Sequence, residues 1–205
     1  MGKLIVTEFV TLDGVAQGPG QSDEDRDEGF EHGGWQAPLA ADDTGDDVMF
    51  EQASHMDALL LGRKTYDIFS AFWPNAPEEF PFTRLLNTVP KYVASRTLTD
   101  PLAWQGSTVL GGDLAKSVAA LKDRYSELHI IGSLNLLQSL LQLGLVDRVS
   151  LWMYPIVLGS GKRVFGDGTI PAALHLADSH VYPNGTVHLT YETAGAPTYA
   201  NMTFE

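Results

Sequence analysis

Short apolar runs recur along the chain at the length of buried β-strands. The run Ala-Leu-Leu-Leu at residues 58–61 is typical of a strand buried on both faces, as in a parallel sheet covered by helices, and Gly62 ends it. Other runs rich in apolar, aromatic and β-branched residues predict strands at residues 3–10, 90–95, 107–110, 128–131, 147–158, 174–182 and 186–192.

Apolar residues at a spacing of three to four alternate with these strands and predict helices between them. The first such pattern follows Gly62 and predicts a helix that begins at Arg63. Its apolar face is formed by Tyr66, Phe69, Phe72 and Trp73. Further helices are predicted at residues 46–55, from residue 81, at residues 113–125 and at residues 133–143, the last two capped by Asp113 and Ser133.

The alternation of strands and helices predicts an α/β domain with a mostly parallel central sheet. Asn184 and Gly185 lie between the last two predicted strands, and Asn-Gly at that place is a strong signal for an antiparallel hairpin at the end of the sheet. We therefore expect one domain over residues 1–192, followed by a tail at residues 193–205.

Residues 18–47 are rich in glycine, aspartate and glutamate, and so long a loop in a compact domain is usually functional or mobile. Phe30 and Trp35 are its main apolar anchors. Trp35 is either part of the core or part of a lid over a ligand, and the residues leave both readings open. We expect this loop to be a lid, with both aromatic side chains docked on the pocket.

The charge of the chain narrows the classes of partner. Its 205 residues carry 13 basic and 26 acidic side chains, for a formal net charge of −13. This charge argues against nucleic acid or an anionic membrane surface as a partner, since either needs a basic face.

The absence of cysteine excludes disulfides, thiol nucleophiles and thiolate metal sites. The six histidines lack paired metal spacing, so we expect no metal.

The N-terminal segment lacks the long apolar core of a signal peptide, and no run approaches the roughly 18–20 apolar residues that span a bilayer. We therefore expect a cytoplasmic protein with no membrane partner.

The turn after residues 58–61 is the first candidate for chemistry. A strand, a glycine, the basic and hydroxyl residues 63–65 and then a helix are typical of α/β proteins that bind an anionic cofactor, because the N-terminus of a helix attracts phosphate. Two solvated cations at a simple strand-to-helix connection would have the same spacing, and the residues alone do not distinguish these interpretations.

Five turns in sequence order carry a resemblance to a known family. They are Thr-Leu-Asp-Gly at 11–14, Leu-Gly-Arg-Lys-Thr-Tyr at 61–66, Ala-Ser-Arg at 94–96, Ile-Gly-Ser at 131–133 and Pro-Ile-Val-Leu-Gly-Ser-Gly at 155–161. Together they resemble the dihydrofolate reductase-like family, most closely the stand-alone proteins similar to the C-terminal reductase domain of bacterial riboflavin biosynthesis (RibD C-terminal domain-like). The resemblance implies a dihydrofolate reductase-like three-layer fold over nearly the whole chain.

The resemblance also implies NADPH as the cofactor. In this fold residues 63–65 would contact the cofactor phosphates, residues 95–96 would hold the 2′-phosphate, and residues 132–133 would lie beneath the pyrophosphate. The residues implied in cofactor binding are Gly14, Gly62, Arg63, Lys64, Thr65, Ser95, Arg96, Gly132 and Ser133.

Asp13 is the implied catalytic residue that faces the nicotinamide and the substrate, where it would orient the substrate or relay a proton, a role that favours a raised pKa. The family also carries a substrate-binding acid on the helix before the central strand. Glu51 is our candidate for it, with Asp46 and Asp47 in the same region. Trp35 is the candidate substrate-binding residue.

The expected function is an NADPH-dependent reductase of a small heterocyclic substrate, pyrimidine- or pterin-like, similar to 5-amino-6-(5-phosphoribosylamino)uracil reductase. The alternative is a nucleotide- or ligand-binding protein of the same fold without turnover. The family resemblance further implies a homodimer, and residues 149–157, apolar on both faces of a predicted strand, are the expected contact surface.

Overall fold

A computed structural model describes residues 1–40 and 46–202 of the chain. Residues 41–45 of the predicted loop, residues 203–205 of the predicted tail and the side chain of Asp46 lie outside the described part. The strands are β1 (Lys3–Thr11), β2 (Ala58–Gly62), β3 (Lys91–Ala94), β4 (Ser107–Leu110), β5 (Glu127–Ile131), β6 (Arg148–Tyr154), β7 (Leu174–Val181) and β8 (Val187–Thr193). The α-helices are α1 (Ala37–Ala40), α2 (Asp46–Ser54), α3 (Arg63–Phe72), α4 (Pro81–Thr88), α5 (Leu114–Arg124) and α6 (Leu134–Gln142), and short 3-10 helices lie at Asp27–Gly29 and Trp73–Asn75.

The strands form one sheet in the order β4-β3-β2-β5-β1-β6-β8-β7. The pairs from β4 to β6 are parallel, whereas β8 is antiparallel to both β6 and β7. The predicted mostly parallel sheet with an antiparallel C-terminal hairpin is therefore confirmed.

Helices cover both faces of the parallel part of the sheet, and the central strand β2 is accordingly apolar at every position. Ala58 and Leu60 pack with side chains of α5 and α6, while Leu59 and Leu61 pack on the opposite face with Tyr66 of α3 and with α4. This two-sided burial explains the uninterrupted apolar run in the sequence. In the part of the chain that the structure describes, no helix is long and apolar enough to cross a membrane.

Two local predictions need correction. The strand predicted at 147–158 ends at Tyr154, because Pro155 has no N–H to continue the ladder. Ser133 does not cap α6 with its side chain. Its backbone is left-handed, with φ of 63°, and its hydroxyl instead accepts a hydrogen bond from Gly62 N at 2.9 Å.

The described part of the predicted loop, residues 18–40, is anchored by aromatic side chains. Phe30 and Trp35 are buried in a cluster with Val15, Trp152 and Tyr154, and the Trp35 indole N–H donates to a backbone carbonyl at 2.9 Å. The expectation that Phe30 and Trp35 dock on the pocket is wrong, since both pack into this core cluster.

Candidate active site

One large cavity of about 760 Å³ lies at the carboxyl ends of the central parallel strands. Its walls include the turns that follow β2, β3, β4 and β5 and the segment after β1. In open α/β sheets ligands bind outside the carboxyl ends of the strands, so this cavity is the candidate active site.

The polar end of the cavity is formed by two helix N-termini. Residues 62–65 at the start of α3 and residues 132–135 at the start of α6 both line it. Gly62, the N-cap residue of α3, has no side chain, and the side chain of Ser133, the N-cap residue of α6, makes no capping hydrogen bond. Two uncapped helix starts directed at one cavity make a site for an anion such as a pyrophosphate.

Two reciprocal hydrogen bonds hold these helix starts together. The Ser133 hydroxyl accepts from Gly62 N at 2.9 Å, and the Thr65 hydroxyl accepts from Ser133 N at 3.0 Å. Gly132 lies between them with φ of 64°, and a Cβ on it would stand 3.6 Å from the Thr65 side chain. The absence of a side chain at 132 keeps this part of the cavity wall open to a ligand.

Four cationic side chains line the cavity: Arg63, Lys64, Arg96 and Lys162. The Arg63 guanidinium contacts Asp67 at 2.7 Å and donates to the Thr97 hydroxyl at 3.2 Å. Among the described side chains, the exposed Arg96 has no carboxylate within ion-pair distance. Arg96 is therefore a cation available to a bound phosphate.

Lys64 and Lys162 are bridged by two carboxylates of the loop after β1. Asp25 lies 2.9 Å from Lys64 and 2.8 Å from Lys162, and Asp27 pairs with both lysines as well. Partial burial alone would raise the pKa of Asp25, but the hydrogen bonds from Lys162 and Lys64 lower it to about 2. These four side chains, the loop-lysine cluster, hold the loop against the cavity.

The other end of the cavity is apolar. It is lined by Met49 of α2, by Ile68, Phe69 and Phe72 of α3, by Trp73 and by Phe82 of α4. Phe72 and Trp73 pack edge to face with ring centroids 5.1 Å apart. One helix, α3, thus provides polar residues at its first turn and an aromatic wall at its last turns.

A buried acid on β1, Glu8, also lines the cavity. Its side chain is only 2% exposed, and its Oε1 has no hydrogen-bond partner among the described residues. Desolvation raises the pKa of Glu8 to about 8, so the carboxyl is largely protonated at neutral pH. A neutral buried acid in a cavity can donate a proton or a hydrogen bond to a ligand.

Glu8 was missed by the sequence reasoning. The available signal was a glutamate between Val6 and Val10 on the inward face of a strand whose other inward residues are apolar. A buried acid without a partner is costly and therefore a functional candidate.

The residues predicted for cofactor binding are largely brought together. Gly62, Arg63, Lys64, Thr65, Ser95, Arg96, Gly132 and Ser133 all line the cavity. Gly14 does not, because it lies in the turn after β1 on the side of Arg163. The Ser95 hydroxyl accepts from the backbone N–H groups of residues 97 and 98, which shapes the turn that carries Arg96.

The residues predicted to be catalytic are not at the cavity. Asp13 accepts hydrogen bonds from the Thr11 hydroxyl at 2.6 Å and from Gly159 N at 2.7 Å, and these bonds lower its pKa. Asp13 therefore fixes the turn after β6 as an ionised carboxylate, contrary to the raised pKa expected of it. Glu51 is exposed on α2, and neither Glu51 nor Trp35 is among the cavity-lining residues. Trp35 is a core residue for the reason given above.

Comparison with known proteins shows the same architecture elsewhere. Residues 2–188 match the family model of the RibD C-terminal domain. The Bacillus subtilis protein YyaP, described as uncharacterized, is 27% identical over 146 residues, which are 69% of this chain and 77% of YyaP.

Solved structures of other proteins share this fold. A Shewanella protein described provisionally as a riboflavin biosynthesis protein superposes with a TM-score of 0.67 at 23% identity, covering 94% of this chain and 99% of that one. A pyrimidine reductase-like protein of Corynebacterium diphtheriae gives 0.65 at 17% identity, covering 94% and 92%. The Thermotoga maritima diaminohydroxyphosphoribosylaminopyrimidine deaminase/5-amino-6-(5-phosphoribosylamino)uracil reductase gives 0.61 at 13% identity, covering 94% of this chain and 57% of that one. At these identities the likeness establishes the fold, so the predicted dihydrofolate reductase-like fold is confirmed.

Proposed function

Because the chain belongs to the family of RibD C-terminal domain proteins, we propose that it is an NADPH-dependent reductase of a small planar heterocyclic or carbonyl substrate, such as a pyrimidine or a pterin. The observation that carries this proposal is the cavity itself, which joins an anion site at two helix N-termini to an aromatic wall and contains a protonated acid.

The polar end fits the phosphates of a dinucleotide. The open wall at Gly132 and the two uncapped helix starts would accept the pyrophosphate, and Arg63 and Lys64 would add charge. Arg96, with no carboxylate partner among the described side chains, would contact the 2′-phosphate that distinguishes NADPH from NADH. When bound, this cofactor supplies a hydride to the substrate.

Glu8 would supply the proton that reduction also requires. A hydride added to one atom of a C=O or C=N group leaves negative charge on the other atom, which a nearby acid neutralises. The carboxyl of Glu8 carries a proton at neutral pH because it is desolvated, and it would regain that proton from solvent after each turnover.

Arg96→Ala tests the cofactor assignment. We expect this variant to bind NADPH more weakly by about 1.5–3 kcal/mol, the value of a hydrogen bond to a charged group, with little change for NADH. Isothermal calorimetry with both cofactors measures this difference. Arg84→Ala is the matched control, since Arg84 is an exposed arginine on α4 that does not line the cavity.

An equal loss for both cofactors in Arg96→Ala would remove Arg96 from the 2′-phosphate site. Absence of NADPH binding to the unmodified protein would overturn the proposal. NADPH binding without oxidation by any aminopyrimidine, pterin or quinone, followed at 340 nm, would favour the alternative of a binding protein without turnover.

We also propose a homodimer, with a contact surface different from the expected one. Residues Leu151, Trp152 and Tyr154 of β6 are buried within the single chain, so they cannot form the surface. Strand β7 is the edge of the sheet and every one of its residues is exposed, including Leu176. The outer edge of such a strand presents backbone N–H and C=O groups that favour association with another strand. Sedimentation as a monomer at micromolar concentration would contradict this proposal.

A further inference from the structure

The two ends of the cavity differ in charge as well as in polarity. Helix α3 runs between them, and its first residue, Arg63, is roughly 14 Å from Phe72 at a rise of 1.5 Å per residue. The cations that line the cavity belong to the first turn of α3, to the turn after β3 and to Lys162. The last turns of α3 contribute only apolar side chains to the wall.

The cations near the loop are already paired. Lys162 and Lys64 each form ion pairs with Asp25 and Asp27 in the loop-lysine cluster, and Glu24 adds a further carboxylate to the same wall. Among the described residues no cation lines the aromatic end, because Arg84 of the neighbouring α4 is not part of the wall. A phosphate placed there would lose its hydration and gain no cation in return.

The aromatic end instead suits a flat ring. Phe69, Phe72, Trp73 and Phe82 line the cavity, and Phe72 has 48% of its surface exposed. Aromatic rings pack favourably against one another in offset or edge-to-face arrangements. A large exposed aromatic side chain on a concave wall marks a surface that a ligand can cover.

We propose that the substrate is a planar, uncharged, largely apolar ring compound without a phosphate arm, of the quinone or unsubstituted heterocycle class. This inference rests on the proposed reductase function for its chemistry, and it separates the substrate of this chain from the phosphoribosylated uracil named for the Thermotoga enzyme. The phosphate-binding capacity of the cavity is used by the cofactor at the opposite end.

A matched pair of probes tests this inference through binding alone. The probes are 1,4-naphthoquinone and its 2-sulfonate, which share a ring system and differ by one negative charge. The chain has no cysteine, so quinone addition to a thiol cannot interfere. Binding is followed by quenching of tryptophan fluorescence, since Trp73 lies in the wall while Trp35, Trp104 and Trp152 are buried.

We expect the neutral quinone to bind at least tenfold more tightly than the sulfonate, both with and without bound NADP⁺. Phe72→Ser should weaken binding of the neutral quinone about fivefold to tenfold. Phe80→Ser is the matched control, because Phe80 is similarly exposed at 59% but does not line the cavity, and it should change binding less than twofold. Phe72→Arg should reverse the preference towards the sulfonate.

Equal or tighter binding of the sulfonate by the unmodified protein would overturn the inference. So would quinone binding that Phe72→Ser leaves unchanged. Calorimetry with NADPH alone tests the proposed function separately. Quinone binding to the protein without cofactor stays measurable even if NADPH does not bind, so the two proposals can fail independently. Turnover of 5-amino-6-(5-phosphoribosylamino)uracil faster than of the quinone would support the reductase and reject the substrate class.

Discussion

The polar end and the aromatic end of the cavity are built in different ways. The polar end includes short contiguous segments, residues 62–65 and 132–135, in each of which a glycine precedes a helix start that lines the cavity. The aromatic end collects single side chains from α2, α3 and α4. The proposed phosphate site therefore depends on local backbone geometry, whereas the proposed substrate site depends on how helices pack.

Glu8 lines the cavity but belongs neither to the helix starts of the polar end nor to the aromatic side chains of the other end. Substitution of Glu8 should give the largest change of the substitutions proposed. Its pKa is raised from an ordinary value near 4.5 to about 8, so between these pH values the folded protein holds a proton that the unfolded chain has lost. The contribution of Glu8 to stability is therefore most favourable below about pH 4.5 and declines as the pH rises towards 8.

Glu8→Gln should remove this decline. We expect the free energy of unfolding of the variant, relative to the unmodified protein, to increase by roughly 1.4 kcal/mol for each pH unit across that window. Urea denaturation at pH 5 and pH 8 measures the difference. A gap between the two proteins that does not change with pH would show that Glu8 is ionised in the folded state.

The same substitution should also reduce turnover. General acid catalysis typically contributes 10²–10⁴-fold, so we expect Glu8→Gln to lower kcat about 100-fold or more while NADPH binding is retained. Glu51→Gln serves as the control, because Glu51 is exposed and lies outside the cavity, and its kcat should stay close to that of the unmodified protein. A Glu8→Gln variant with full activity would assign the proton to another group.

The role of the polar end in NADPH binding can be tested with two glycine-to-alanine substitutions that impose the same backbone strain. Gly132 and Gly144 both have φ of 64°, so alanine at either position should cost roughly 1–2 kcal/mol of stability. Only Gly132 lines the cavity. We expect both variants to lose similar stability in thermal denaturation but only Gly132→Ala to bind NADPH more weakly. Weaker binding by both would mean that strain, and not the open wall at Gly132, controls the site.

The smallest effect concerns the loop-lysine cluster. Asp27→Asn removes one of the two carboxylates that compete with a phosphate for Lys64. Exposed ion pairs contribute up to about 1 kcal/mol, so NADPH affinity should rise about twofold to fivefold at low salt, and the difference should fade at high salt. Asp23→Asn, a change at an exposed acid of the same loop, should leave affinity unchanged. Weaker NADPH binding by Asp27→Asn would mean that the closed loop assists the cofactor.

The residue pattern determined the α/β class and the parallel sheet with its C-terminal hairpin, and it made the turn at residues 62–65 a candidate anion site. These features are local, because an apolar run of four residues, a glycine that ends it and a helix start are each encoded within a few positions. Gly62 and Arg63 could therefore be identified as a candidate anion site from the residues, whereas the place of Gly132 was implied by the family resemblance.

Only the tertiary structure decided which acid meets the cavity. Asp13 and Glu8 are five residues apart in the chain, yet Asp13 is held by donors from the turn after β6 and Glu8 is buried without a partner for its Oε1 among the described residues. Trp35 likewise could be core or lid until its packing against Tyr154 was seen. The burial of Glu8 and the hydrogen bond from Gly159 N to Asp13 both depend on residues far apart in the chain. Because burial and hydrogen bonds fix the pKa of an acid, its chemical role depends on the folded chain.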